Sequence, residues 1–188
     1  RAKTRLESLL ASRSDHVFAH GLLGEVLSLT GEREAAVREY REAVRLNPKW
    51  MTPWLNWTTL VLSEKQADVA VQIVENGLKA NPESEELYML LASAHFEQGN
   101  IDRAMAAYET VLRLNPRNVL AANNLAVLLV DRKGDPLSLQ KAFALSRDFE
   151  KEAPHPLFID TLAWVRFKMG QQEEAIRLMK QAIAKSPN

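Results

Sequence analysis

Five prolines constrain this chain more than any other feature. Asn47-Pro48, Asn81-Pro82 and Asn115-Pro116 recur at intervals of 34 residues, and Ala153-Pro154 and Ser186-Pro187 follow after 38 and 33. A residue before proline is pushed out of the helical region, so each pair ends a helix. Between the pairs apolar residues return at helical spacing, as in Ala36, Val37, Tyr40, Ala43 and Val44, or Ala104, Met105, Tyr108, Val111 and Leu112. A second break falls inside each interval at Gly31, Gly99, Gly134 and Gly170, with Lys65 in the matching place of the second interval. Glycine takes the left-handed conformation that closes a helix at little cost. Two short helices and two turns per interval make an α-helical repeat array, whose units bury their apolar faces only on one another. The breaks exclude a continuous coiled coil.

Composition narrows the function classes. Among 188 residues, 24 Lys and Arg balance 24 Asp and Glu, which leaves no global attraction for nucleic acid or an anionic bilayer. No nucleic-acid partner is expected. With no cysteine there is neither a disulfide framework nor a thiolate metal site, and the 46% hydrophobic content excludes disorder. The longest uncharged apolar run, Leu125 to Val130, stops at Asp131, far short of the ~20 residues a membrane helix needs. Arg1, Lys3, Arg5 and Glu7 are interleaved with apolar residues rather than placed before an apolar run, so the start does not read as a signal peptide. The absence of an initiating Met leads us to expect a longer parent, with any targeting segment outside this chain. Cytoplasm and periplasm both remain open.

The residues within each interval resemble the tetratricopeptide repeat, whose 34 positions favour large residues at 4, 7 and 11, small ones at 8, 20 and 27, an aromatic at 24 and proline at 32. Residues 17–50 supply Leu23, Gly24, Leu27, Ala36, Tyr40, Ala43 and Pro48. Residues 51–84 supply Trp54, Trp57, Val61, Ala70 and Pro82, with Gly77 in place of alanine, and residues 85–118 supply Tyr88, Leu91, Ala92, Ala104, Tyr108 and Pro116, with Val111 in place of alanine. A fourth unit, 119–155, carries Leu125, Ala126 and Leu129 and about four extra residues between Gly134 and Ala142. Asp135-Pro136 reads there as an N-cap and first helical residue, which predicts one added turn on the front of the second helix. The fifth, 156–188, carries Leu162, Ala163, Gly170, Ala175, Ala182 and Pro187. Residues 1–16 read as a leading half repeat with Leu6, Leu9 and Leu10 on its helix. The resemblance implies an all-α fold, a right-handed α-solenoid of helix-turn-helix repeats. Neither end carries a polar cap, so the faces around Leu6 and Leu10, and around Ile176, Met179 and Ile183, are expected to be apolar ends open to self-association.

No catalytic signature is present: there is no phosphate-binding loop, dinucleotide fingerprint, nucleophile elbow or metalloprotease helix, and we expect no enzyme activity, cofactor or metal. His16 and His20 stand four apart without a third ligand, and His95 and His155 are isolated. Glu85-Glu86 and Glu173-Glu174 sit in first helical turns, where they complement the dipole. Trp54 and Trp57 fall on repeat positions used for packing, which leaves Trp50 as the one tryptophan expected to be exposed.

Tetratricopeptide arrays hold extended peptides or partner helices on the concave surface of the first helices, through positions 2, 5, 6, 9, 12 and 13. Here position 12 reads Ser28, Leu62, Phe96, Val130 and Phe167; position 5 adds Leu55 and Met89, and position 9 adds Val127 and Trp164. Such a lining suits a protein or peptide with an apolar segment, although position 12 has the alternative role of packing on the next unit. Asn56 and Asn124 occupy position 6, with Asn123 adjacent, and an amide can both donate to and accept from a peptide backbone. The segment from Ala122 to Ala126 looks like the asparagine-bearing helices of the O-linked N-acetylglucosamine transferase repeats, but Leu22, Leu90 and Thr161 interrupt the ladder. The carboxylate clamp of chaperone-binding relatives is missing, because only Lys168 is basic at the positions it needs. The expected function is a protein-interaction scaffold. The alternative is a non-catalytic regulatory or recruiting arm of a larger protein, in the style of bacterial repeat proteins attached to envelope, exopolysaccharide or exosortase systems.

Overall fold

The computed structural model describes residues 1–186, so that Pro187 lies outside the described residues, and within these the chain is helical with no strand. Its helices are α1 (Ala2–Ser12), α2 (Val17–Leu29), α3 (Arg33–Leu46), α4 (Met51–Ser63), α5 (Ala67–Ala80) and α6 (Glu85–Glu97). They continue with α7 (Ile101–Leu114), α8 (Val119–Leu128), α9 (Pro136–Ser146), α10 (Phe149–Glu152), α11 (Pro156–Lys168) and α12 (Gln172–Lys185). Two compact units form, residues 1–100 and residues 101 onward, and the division falls inside the expected third repeat. The fold class is that of tetratricopeptide helical hairpins, as the spacing of breaks implies.

In the first unit α2 packs on α3, α3 on α4, α4 on α5 and α5 on α6. The hairpins close where side chains are short. Gly24 lies against the Tyr40 ring so closely that a Cβ there would stand 2.7 Å from it, and Ala36, Ala43 and Ala70 are fully buried. Gly77 replaces the expected alanine because the Trp54 indole fills that space; a Cβ would approach it at 3.2 Å. Trp54 in turn donates its Nε1–H to the Pro48 carbonyl at 2.8 Å, and the Asn81 amide donates to the same oxygen at 2.9 Å. Two consecutive Asn-Pro turns are thereby tied together.

At the leading end Leu6, Leu9 and Leu10 are half-buried rather than exposed. Leu6 and Leu10 pack inward on the cluster of Leu23, Leu27, Ala36, Tyr40 and Leu60, because α1 lies along α2. The α1–α2 turn is held by His20, whose Nδ1 is 2.6 Å from the Glu39 carboxylate and whose Nε2 is 2.9 Å from the Ser14 carbonyl.

In the second unit α7 packs on α8, α8 on α9, and α11 on both α9 and α12. Ile159, Leu162, Ala163, Leu178 and Ala182 form its core, with Phe143 packed against it, while Ile176, Met179 and Ile183 stay exposed as expected. Asp135 caps α9, accepting from the Leu137 and Ser138 amides at 3.0 and 3.1 Å, with Pro136 as the first residue. The extra residues, however, are not a single turn added at that point. One is absorbed upstream, where Leu129–Lys133 widens into a π-helical turn closed by a Gly134 N–H to Leu129 carbonyl bond of 2.9 Å. The rest lie downstream: the span 136–152 outruns the 14 residues of α3, α5, α7 and α12 and breaks at Arg147-Asp148. Two side chains favour that break. The buried Ser146 hydroxyl bonds back to the Ala142 carbonyl at 2.9 Å, a contact that bends helices, and buried Phe149 packs on Phe158 with ring centroids 5.6 Å apart.

The turns inside the hairpins adopt positive φ at Gly31, Gly99, Gly134 and Gly170, and also at Lys65, with φ of 59°. A residue with a Cβ in that conformation is strained by about 1 kcal/mol. Lys65→Gly is expected to raise stability by about 0.5–1 kcal/mol in urea denaturation, the relief of strain exceeding the added chain entropy; an unchanged or lower midpoint would contradict this account of the turn.

Candidate functional site

Within the first unit α4 lies beside both α2 and α6, and within the second α8 lies beside α11, so the first helices of successive repeats form a shared face in each. On the first unit that face includes Leu55, Asn56, Leu62, Met89 and Phe96. Leu55 and Leu62 are half-buried and pack on the core cluster around Trp54, Val61 and Val74, which favours the packing alternative for Leu62. Met89 and Asn56 are half-buried, whereas Phe96 is 45% exposed.

Asn56 borders a pocket of about 280 Å³ between α2 and α4, lined also by Glu25, Ser28, Tyr40, Thr59 and Ser63. The Ser28 and Asn56 side chains face the buried Tyr40 hydroxyl. Burial pushes its pKa above the ordinary phenol range, with Glu25 adding to the rise and the polar Ser28 and Asn56 side chains opposing it. The phenol thus stays neutral and anchors a polar rim of hydroxyl, amide and carboxylate groups. Ser28, Thr59 and Ser63 were not chosen as site residues from the sequence, although Ser28 was read at position 12; at positions 9, 12 and 13 small polar residues give no signal on their own.

On the second unit the residues divide. Asn123 is only 3% exposed, and its Nδ2 donates to the Asn124 side-chain Oδ1 at 3.3 Å. It is therefore withdrawn from the candidate surface, because it points into the packed side of α8. Asn124, half-buried, donates to the Tyr108 hydroxyl at 3.2 Å, repeating the Asn56–Tyr40 contact one pair of repeats later. Val127 is half-buried. Val130, at position 12, is 4% exposed because the π-helical turn carries it into the core. Trp164 and Phe167 stack nearly parallel on α11, 14° apart with centroids separated by 5.6 Å, and Phe167 is 49% exposed. The Trp164 Nε1–H donates to Asp131 at 2.8 Å, and the Lys168 ammonium lies 4.6 Å from its ring centroid. The result is an aromatic ledge edged by one anion and one cation.

The histidines serve the helices. His16 and His155 cap α2 and α11, and His95 bonds to Gln98. No group of three His, Cys, Asp or Glu residues among the described ones is placed to hold a metal, and no described helix is long and apolar enough to cross a membrane. Trp54 is buried as expected. Trp50 lies half-buried over Gly21 and beside Phe18, and Trp57 is half-buried rather than fully in the core.

Models of the tetratricopeptide repeat match residues 19–49, 61–128 and 161–188. The chain belongs to the tetratricopeptide repeat family. A TPR repeat-containing protein of Pseudomonas aeruginosa is 26% identical over 127 residues, which cover 65% of this chain and 20% of that protein. This tetratricopeptide chain thus spans about a fifth of that relative's length. Among solved structures, MamA superposes with a TM-score of 0.73 at 18% identity, over 90% of this chain and 91% of that one. YrrB, described as a TPR protein with an unusual peptide-binding site, superposes with a TM-score of 0.71 at 17% identity, over 97% and 93%. At such identities the likeness establishes the fold. Tetratricopeptide arrays are generally non-catalytic modules, and fold and relatives together support a protein-interaction scaffold.

The Asn–Tyr contact has a measurable weight. Asn56→Ala leaves the buried Tyr40 hydroxyl short of a partner and is expected to cost about 1 kcal/mol in denaturant unfolding. Against a Tyr40→Phe background the same change should cost much less, and equal costs in both backgrounds would show that the pair does not interact.

Proposed function

We propose that this chain binds an extended peptide or partner helix carrying apolar side chains, on the faces formed by its first helices. The observation that carries this reading is the half exposure of Phe96 and Phe167, which occupy the same repeat position on the first helices of two repeats. Burying either phenyl ring against a partner is worth about 1.5–3 kcal/mol, and the Trp164–Phe167 stack offers a rigid surface that loses little entropy on binding. The half-buried amides of Asn56 and Asn124 supply polar edges, each keeping spare hydrogen-bonding capacity beside its tyrosine partner. Met89 and Val127 add apolar area, while Leu55 and Leu62 act mainly as support. Peptide binding in the similarly folded YrrB is in keeping with this assignment.

A second reading follows from length. Because the matched segment is one fifth of the Pseudomonas relative, the array is also suited to be the recruiting arm of a longer protein, the same faces serving to capture its client. The two readings share one surface and differ in what it is joined to.

Phe96→Ala and Phe167→Ala are each expected to weaken a peptide derived from a captured partner at least tenfold, about 1.4 kcal/mol, in a fluorescence or calorimetric titration. Leu137→Ala, which removes an exposed side chain outside these faces, should leave affinity within twofold. Unchanged affinity in both phenylalanine variants would reject the proposal.

A further inference from the structure

A groove distinct from the faces described above runs along the other side of the first unit, between α3 and α5. Its floor is laid by α4, through Trp54 and Trp57, which stack 16° from parallel with centroids 6.2 Å apart. The half of the groove toward the C-terminal ends of α3 and α5 encloses about 650 Å³. Its charged lining is entirely cationic: Arg41 and Arg45 stand on the α3 wall and Lys79 on the α5 wall, with no carboxylate among the lining residues. Arg45 is already engaged by Glu42, at 2.6 and 2.8 Å. Among the described residues Arg41 and Lys79 have no ion pair; the Arg41 guanidinium lies 5.7 Å from the Trp57 ring centroid, and Lys79 donates to the neutral Asn76 amide.

Apolar side chains complete this half, with Val44, Val69 and Ile73 beside the two indoles, and Val69 is 39% exposed. Trp57 carries a buried Nε1–H with no hydrogen-bond partner among the described residues, an uncommon state for a buried donor. The other half of the groove, about 890 Å³, is of mixed charge. There, among the described residues, Glu34 and Arg38 both stand without an ion pair, while Glu64 is paired with Arg33 and Glu32 with Lys3.

We infer that this groove is a second docking site, and that its occupant is an acidic, amphipathic segment of a partner protein. Its carboxylates would meet Arg41 and Lys79 while an apolar residue covers the Trp57 floor. Charge complementarity argues for the acid, since two unneutralised cations face each other across an apolar trough. The tryptophan floor argues for apolar side chains between the acidic ones, because a desolvated aromatic surface gains most from covering by carbon. The carboxylates at the far end argue against a uniformly anionic occupant such as a nucleic-acid strand, whose backbone would be repelled at Glu34 where it is attracted at Arg41. Exposed like-signed walls also explain why Arg41 folds over the indole, where the ring face offers the attraction no carboxylate provides.

The test selects binders from a random twelve-residue peptide display library on the intact chain. Recovered peptides are then titrated by tryptophan fluorescence against the wild type, the Arg41→Glu/Lys79→Glu variant and the Phe96→Ala variant. The expected result is a class of net-acidic peptides with at least one large apolar residue, whose affinity drops at least tenfold in the charge-reversed variant and stays within twofold in Phe96→Ala. If charge reversal disturbs the helical circular dichroism spectrum, Arg41→Gln/Lys79→Gln is used with an expected loss of at least threefold. The inference is overturned if no acidic class is recovered, if acidic peptides bind the charge variants as tightly as the wild type, or if a twelve-nucleotide oligothymidylate binds as tightly as the peptides and competes with them.

Discussion

Every feature of this protein depends on how closely two short helices can approach at a small residue. Gly24 sits so near the Tyr40 ring that even one added carbon would collide with it, and Gly77 lies in tight contact with Leu87 and Trp54. Close approach at these points brings each second helix down onto its partner, and the next first helix can then pack on both. In the first unit this leaves α2, α4 and α6 side by side with one face free, and in the second it does the same for α8 and α11. The candidate surface is thus a by-product of packing: residues on the crossing side shrink to glycine and alanine, and large side chains on the opposite side have nothing in their own hairpin to bury against. Phe96 and Phe167 stand there, whereas Val130 escapes because a π-helical turn rotates it inward.

The fold was legible because it rests on local rules. Proline and glycine stop helices wherever they stand, and their spacing alone defines the hairpins; only Lys65, in a left-handed turn without glycine, had to be inferred from register. The candidate surface was legible only in part, since a repeat position states which way a residue faces on an ideal helix and not what lies opposite it. Asn123 and Asn124 are adjacent and chemically identical, yet one is buried and the other half-open. Asn56 and Asn124 looked like free amides, but Asn124 spends a bond on Tyr108 and Asn56 faces Tyr40, a relation that becomes visible only when positions 6 and 24 of neighbouring repeats are read together. The extra residues of the fourth interval were misplaced for a related reason: Asp135-Pro136 is a strong local cap, but a widened turn and a helix break are decided by the burial of Ser146 and Phe149.

Charge acquires meaning once it is placed. The chain is neutral in sum, yet its arrangement separates two kinds of surface on the first unit. The face of the first helices is built from aromatic, aliphatic and amide groups with Glu25 at one pocket, while the groove between α3 and α5 pairs a tryptophan floor with cationic walls. Arrays of this kind bind by covering area with complementary chemistry rather than by catalysing a step, and two chemically different surfaces on one scaffold allow two partners to be held together.

The central claim is that the exposed face of the first helices is where a partner is held, and Trp164 provides a direct reporter of it. The chain has four tryptophans, and their indole N–H groups occupy different settings: Trp54 is fastened to the Pro48 carbonyl in the core, and Trp164 to Asp131 on the aromatic ledge. A nuclear magnetic resonance titration with a peptide derived from the captured partner reads all four at once. The account predicts that the Trp164 indole resonance shifts with the binding isotherm while that of Trp54 holds still. Saturable binding that leaves the Trp164 resonance unmoved would contradict it.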